Sequence, residues 1–284
     1  MYAVTGITGQ VGGAVARNIL EEGGSVRAVV RDRGRAEAWG ARGCDVVAAD
    51  MTDVDALAEA FADVEGVFVL IPPMFDPAPG YPEVRAVIAA LVEAVRRARP
   101  PKLVCLSTVG AQSREPNLLG QLGLVEEALG ALPLPIAFLR AAWFMENAAG
   151  DVAAARETGA FPSFLQPIDR GLPMVATADV GRVAAEMLGE AWQGRRVVEL
   201  EGPRPVSPDD VAAILSDLLG RPVRAEAVAR EAWEDLFRAQ GMSHPGPRMR
   251  MLDGFNEGWI AFEGEPRRGG TDIATVLRGL VAAR

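Results

Sequence analysis

Three glycines spaced by three, Gly6, Gly9 and Gly12, lie between a short apolar run over 2–5 and an amphipathic stretch over 10–22. Few folds use that pattern. A glycine at the first position allows a turn without a Cβ clash. The second lets a phosphate approach the backbone, and the third lets the helix pack tightly on the strand. A helix opening near Gln10 leaves its first N–H groups without partners, so Thr8, Gln10 and Val11 join the glycines in an expected pyrophosphate cradle. A second apolar run over 25–31 follows at the distance a βαβ unit requires.

The same alternation continues. Strand-like runs at 45–49, 66–71, 102–107 and 136–140 are interleaved with a short helix from Arg33 and helical patterns at 54–61, 82–97 and 118–129. Near-continuous Val, Ile and Leu strands between helices predict a Rossmann-type α/β fold, a doubly wound parallel sheet covered on both faces. The proline-rich stretch 72–80 is expected to be a loop. Past residue 150 the pattern loosens, with a further strand at 197–200. A helix at 207–219 is marked by Ser207 as cap, Pro208 at its first position and Gly220 at its end. The expected organisation is a nucleotide-binding domain over 1–150, with 174–200 returning to it, and a smaller interleaved α/β lobe over 151–284.

Hydrophobic residues make up 49% of the chain, as in a globular protein, and a net charge of −9 argues against a nucleic-acid surface. Cys44 and Cys105 fall in or beside apolar strands, where cysteine acts as a small hydrophobe, and no metal-ligand spacing accompanies them. No apolar run approaches the ~20 residues of a membrane span, and a strand that starts already at residue 1 leads us to expect no signal peptide before the fold. These features predict a cytoplasmic monomer or homodimer acting on a small molecule, with neither membrane nor nucleic acid as a direct partner.

Open parallel sheets bind ligands outside the carboxyl ends of their strands. After the second strand stand Arg31, Asp32, Arg33 and Arg35, where an acid would bind a ribose 2′-hydroxyl and an arginine a 2′-phosphate. The basic surroundings favour NADP(H) over NAD(H), with Arg31 as the contact. Asp50, followed by Met51, ends the third strand, where its carboxylate either accepts from an adenine amino group or caps the helix after Thr52. Ile71, Pro72 and Pro73 end the fourth strand as an apolar wall, Ser107 ends the fifth, and Ala142, Trp143 and Phe144 follow the sixth.

The segments Thr5 to Gly12, Val29-Val30-Arg31-Asp32, Leu139-Arg140 with Trp143-Phe144-Met145-Glu146-Asn147, and Ala178-Asp179-Val180 together resemble the NmrA-like family of atypical short-chain dehydrogenase/reductases. The resemblance spans nearly the whole chain. It implies an NAD(P)-binding Rossmann domain with a small substrate lobe. Members include NAD(P)H-dependent quinone reductases, reductases of small natural products, and regulators that bind the dinucleotide without turning it over.

Catalytic members of the wider superfamily carry Tyr-x-x-x-Lys after the fifth strand. This chain has only Tyr2, Tyr81 and Lys102, and the helix concerned reads Leu118-Leu119-Gly120-Gln121-Leu122. Reduction of an unactivated carbonyl needs a positioned acid, so ordinary alcohol dehydrogenase chemistry loses its support. Ser107 remains as a candidate without a partner. A quinone, enone or iminium acceptor takes hydride without an enzymatic acid and needs only proximity in an apolar pocket. Pocket candidates are Phe75, Tyr81, Trp143, Met145, Phe161, Phe164 and the stretch 241–250. His244, the only histidine, is either an acid in a lid or an ordinary surface residue. Loop residues Gln166, Asp169 and Arg170 are further candidates for closing over a ligand. The alternative function is a non-catalytic NADP(H) sensor with a protein partner.

Overall fold

The computed structural model describes residues 1–283. From the N-terminus, β1 (Tyr2–Thr5), α1 (Gln10–Glu21) and β2 (Val26–Val30) form the first βαβ unit. A 3₁₀ turn over Arg33–Ala36 and the short α2 (Glu37–Gly40) lead to β3 (Asp45–Ala48), α3 (Val54–Phe61) and β4 (Gly66–Val69). Then come α4 (Pro82–Ala98), β5 (Leu103–Thr108), α5 (Gly120–Gly130) and β6 (Ile136–Ala141). Boundaries expected from sequence fall within two residues of those observed through this region.

Beyond β6 the chain leaves the sheet through β7 (Trp143–Phe144), α6 (Ala149–Thr158), β8 (Ala160–Ser163) and β9 (Met174–Val175). It returns as α7 (Thr177–Gly189) and β10 (Arg195–Glu201), then leaves again as α8 (Pro208–Leu219), β11 (Arg224–Ala227), α9 (Trp233–Ala239) and α10 (Gly246–Glu257). A two-residue strand, β12 (Arg267–Arg268), and α11 (Ile273–Ala282) complete the described elements. The expected Ser207 cap is reciprocal: Ser207 Oγ accepts from the Asp210 N–H, and the Asp210 carboxylate accepts from the Ser207 N–H.

The large sheet has eight strands in the order β12-β10-β6-β5-β4-β1-β2-β3, every neighbouring pair parallel. Its strands alternate between two cores, as side chains of period two must. Val4, Phe68 and Leu139 face α1 and α7, while Ala3, Val67, Val69 and Phe138 face α3, α4 and α5. A third core, built around Trp233, Phe237, Leu215 and Phe161, lies in the lobe, where β8 and β11 make a separate parallel pair.

Two family-like segments owe their composition to this architecture. Glu146 accepts from the backbone N–H of Thr177 at 2.9 Å and from its hydroxyl at 2.7 Å, which supplies the acceptor α7 lacks from its own cap. Asp179, buried on α7, accepts from the Thr271 N–H at 2.8 Å and so ties the segment after β12 to that helix.

Candidate functional site

The loop after β1 has the form of an anion cradle. Gly6 has φ +63, and a Cβ there would stand 2.8 Å from the Leu70 side chain. At Gly12 a Cβ would overlap the Gly6 carbonyl, so the first turn of α1 rests directly on the loop. Gly9 caps α1 in extended conformation without a side-chain acceptor, which leaves the leading N–H groups of the helix uncommitted. Thr8 and Gln10 are exposed at this tip, and Val11 is buried beneath it.

Beside the cradle, after β2, Asp32 is spent on its own turn, accepting from the Gly34 N–H at 2.9 Å. Arg31, Arg33 and Arg35 are exposed, and among the described residues none of the three forms an ion pair. Asp50 accepts from the Thr52 hydroxyl at 2.6 Å and from its N–H at 2.9 Å, and these bonds hold its carboxyl below the usual range. The expected capping alternative for Asp50 fails, because Asp53 caps α3 by accepting from Asp55 and Ala56. Met51 is buried beside it.

From the ends of β4, β5 and β6 a cavity of about 800 Å³ runs into the lobe. Ile71, Pro72, Pro73 and Ser107 line it on the sheet side, and Trp143, Phe144, Met145, Phe161 and Phe164 on the lobe side, with Phe75 at its edge. Ala142 stands apart, buried just past the end of β6 with its N–H donating to the Leu200 carbonyl. Trp143 meets Phe255 edge-on at 5.3 Å, and Phe164 packs on Trp233 and Phe237, so the walls are fixed by aromatic contacts.

Other sequence candidates fall elsewhere. Tyr81 and His244 line a separate, smaller hollow of about 480 Å³, with Pro77, Pro79 and Pro245. The Tyr81 hydroxyl donates to the Asn117 carbonyl at 3.1 Å, and burial pushes its pKa up. His244 serves through its backbone: its N–H and that of Ser243 donate to Asp76 at 2.6 and 2.7 Å, clasping the proline-rich loop to the lobe. Lys102 Nζ donates to the Glu190 carbonyl, and Tyr2 opens β1. Gln166 and Arg170 are also committed, Gln166 to the Val228 carbonyl and Arg170 to the carbonyls of Phe255 and Asn256.

Ser107 has a partner that sequence did not reveal. Its hydroxyl donates to Glu126 at 2.6 Å, and Glu126 takes a two-point contact from Arg140, the residue paired with Ser107 in the neighbouring strand. Glu199 and Glu263 also face Arg140. Burial opposes the Arg140 charge, but the bonds to Glu126 and Glu263 outweigh it and raise the pKa.

Two charged residues line the cavity: Asp151, which sequence did not single out, and Arg248, which lies within the expected stretch 241–250. Asp151, on α6, has its carboxyl pushed up to about 7 by burial. Arg248, on α10, lies 4.5 Å from the centre of the Phe237 ring. Both carry a periodic signal: Asn147, Asp151 and Ala154, and Arg248, Met251, Leu252 and Phe255, recur at helical spacing on the cavity side.

The sequence profile of the NmrA-like family matches residues 2–250. The chain belongs to that family. It is 29% identical over 244 residues to an NAD(P)H azoreductase of Xenophilus azovorans, covering 85% of this chain and 82% of that one. It is 26% identical, with the same coverage, to quinone oxidoreductase 2 of Escherichia coli K12. The NADP(H) complex of the Citrobacter sp. triphenylmethane reductase superposes with a TM-score of 0.80 over 98% of this chain and 99% of that one, at 22% identity. This last likeness is one of fold. Among the described residues no helix is long and apolar enough to cross a membrane.

Proposed function

We propose that this NmrA-like protein is an NADPH-dependent reductase that passes hydride to an activated small molecule, a quinone, enone or iminium acceptor. The open apolar cavity at the strand ends carries this reading, since a shaped site of this size is what proximity-driven hydride transfer requires. A dinucleotide sensor with a cavity filled by its own side chains fits less well.

NADP(H) fits the residues present. Gly6, Gly9 and Gly12 leave room that a Cβ would fill, the α1 amides would hold the pyrophosphate, and Arg31 is free for a 2′-phosphate while Asp32 is occupied. Asp50 and Met51 would border the adenine, and Ile71, Pro72, Pro73, Trp143 and Phe144 the nicotinamide end. When bound, the nicotinamide supplies the hydride. The chain itself contributes orientation and exclusion of water by its aromatic walls. Asp151 adds a carboxyl that stays protonated to near neutrality, a donor toward an acceptor's oxygen or nitrogen. In this division, residues 1–150 with 174–200 hold the nucleotide, and the lobe over 151–284 covers the substrate.

The test is oxidation of NADPH and NADH by the purified protein against quinones, enones and cyclic imines, with cofactor binding titrated by fluorescence. Turnover of one class above the protein-free rate is expected. Tight NADP(H) binding with no turnover across the panel would refute the reductase reading.

A further inference from the structure

Among the described residues, Arg248 and Asp151 are the only ionisable side chains on the wall of the main cavity, and they form no ion pair with each other. The Asp151 carboxyl is raised by burial alone, with no cation close enough to offset it, and the Arg248 guanidinium is lowered by burial alone, with no carboxylate to support it. Arg248 is half-buried and, among the described residues, forms no ion pair. Its sole polar side-chain contact is a long one to the Met242 sulfur at 3.7 Å, and one face rests on the Phe237 ring. Neighbouring arginines are satisfied. Arg250, two residues on, meets Asp253 and Glu115, Arg230 grips Asp253 through two nitrogens, and Arg238 pairs with Glu234.

A guanidinium has five donors in a fixed planar fork, and leaving it uncompensated in an apolar wall is costly unless something else supplies the acceptors. Contact with the Phe237 ring at 4.5 Å holds the group against the wall that Arg248 shares with the cavity. The rest of the lining, including Leu118, Leu122, Leu252 and Phe255, suits a flat hydrophobic body. We infer that Arg248 is an anion anchor of the substrate pocket, selecting aromatic acceptors that bear a carboxylate, sulfonate or phosphate group. The inference rests on the proposed reductase reading only for the words "substrate" and "acceptor"; the anion site itself is testable by binding.

The experiment is calorimetry on the NADP⁺-saturated protein with naphthalene-2-sulfonate and its neutral counterpart 2-naphthol. The wild-type protein should bind the sulfonate about 10-fold or more tightly than the naphthol. Arg248→Gln should lower sulfonate affinity about 10- to 100-fold and change naphthol affinity far less, and Arg248→Lys should recover part of the loss. Should the glutamine variant not fold, a salt titration of the wild-type protein decides: sulfonate affinity falls with salt and naphthol affinity does not. Equal affinities for the two probes, or equal losses in the variants, would overturn the anchor. Menadione-dependent NADPH oxidation, run in parallel, reports on the reductase reading separately.

Discussion

Ser107 Oγ stands 2.6 Å from Glu126 Oε1, and the same oxygen receives Arg140 Nε at 2.9 Å. A hydroxyl at the end of a central strand, facing the cavity, is thereby committed to a buried ionic network. Ser107→Ala should therefore cost stability, about 1–3 kcal/mol for a buried carboxylate losing a donor, without abolishing hydride transfer. Denaturant unfolding together with quinone-dependent NADPH oxidation checks both halves; abolished turnover in a protein of unchanged stability would return Ser107 to the chemistry.

Arg31 faces no carboxylate in ion-pair contact, whereas Asp32 accepts from Gly34. Removing the guanidinium should weaken NADPH binding about 10-fold or more and leave NADH binding nearly unchanged, since a charge-assisted bond to the 2′-phosphate is lost and the diphosphate contacts remain. Fluorescence titration of Arg31→Ala with both cofactors measures the difference. Equal losses would mean that Arg31 does not read the 2′-phosphate.

Asp151 links pH to both stability and turnover. Its carboxyl titrates near 7 in the folded protein against an ordinary 3.8, so between these values the folded state holds more protons than the unfolded chain and stability falls as pH rises. Asp151→Asn should remove that fall: the variant melts with the wild type near pH 4 and above it at pH 8. If the protonated carboxyl assists the acceptor, kcat of the wild type declines through about pH 7 and the variant lacks that limb. Thermal melts and rate profiles across pH 4–9 read the two effects independently.

Helix α7 crosses α1 where Gly181 meets Ala14, and a Cβ at Gly181 would overlap the Ala14 methyl. Gly181→Val should thus destabilise by about 1–3 kcal/mol through overpacking and, by shifting α1, weaken NADP(H) binding as well. Chemical denaturation and cofactor titration of the same sample would show both, and full stability in the variant would mean that the two helices separate freely.

What could be read from sequence was what is decided locally. The βαβ unit at Gly6, Gly9 and Gly12 was legible because its turn and packing are set by residues within a few positions of one another. The strand-end residues Ile71, Pro72, Trp143 and Phe144 followed from the topology rule. The two-residue β12 has no periodicity, and β7 pairs with β9 far along the chain, Trp143 beside Met174, so neither left a pattern. His244 and Tyr81 were drawn toward the pocket by composition alone, yet the clasp through Asp76 holds them over a different hollow. That Asp151 on α6 and Arg248 on α10 line one cavity depends on the tertiary fold, which no local window contains.

The sheet takes β1 to β6 from one continuous stretch, then β10 and β12 from two later returns, with the lobe assembled from the excursions between them. No single crossover between relatives can therefore exchange one lobe for another; each swap needs several junctions to fit at once. Such a molecule acquires new specificities by replacing side chains within a shared scaffold rather than by trading modules, and positions such as Arg248 are where that divergence is free to act.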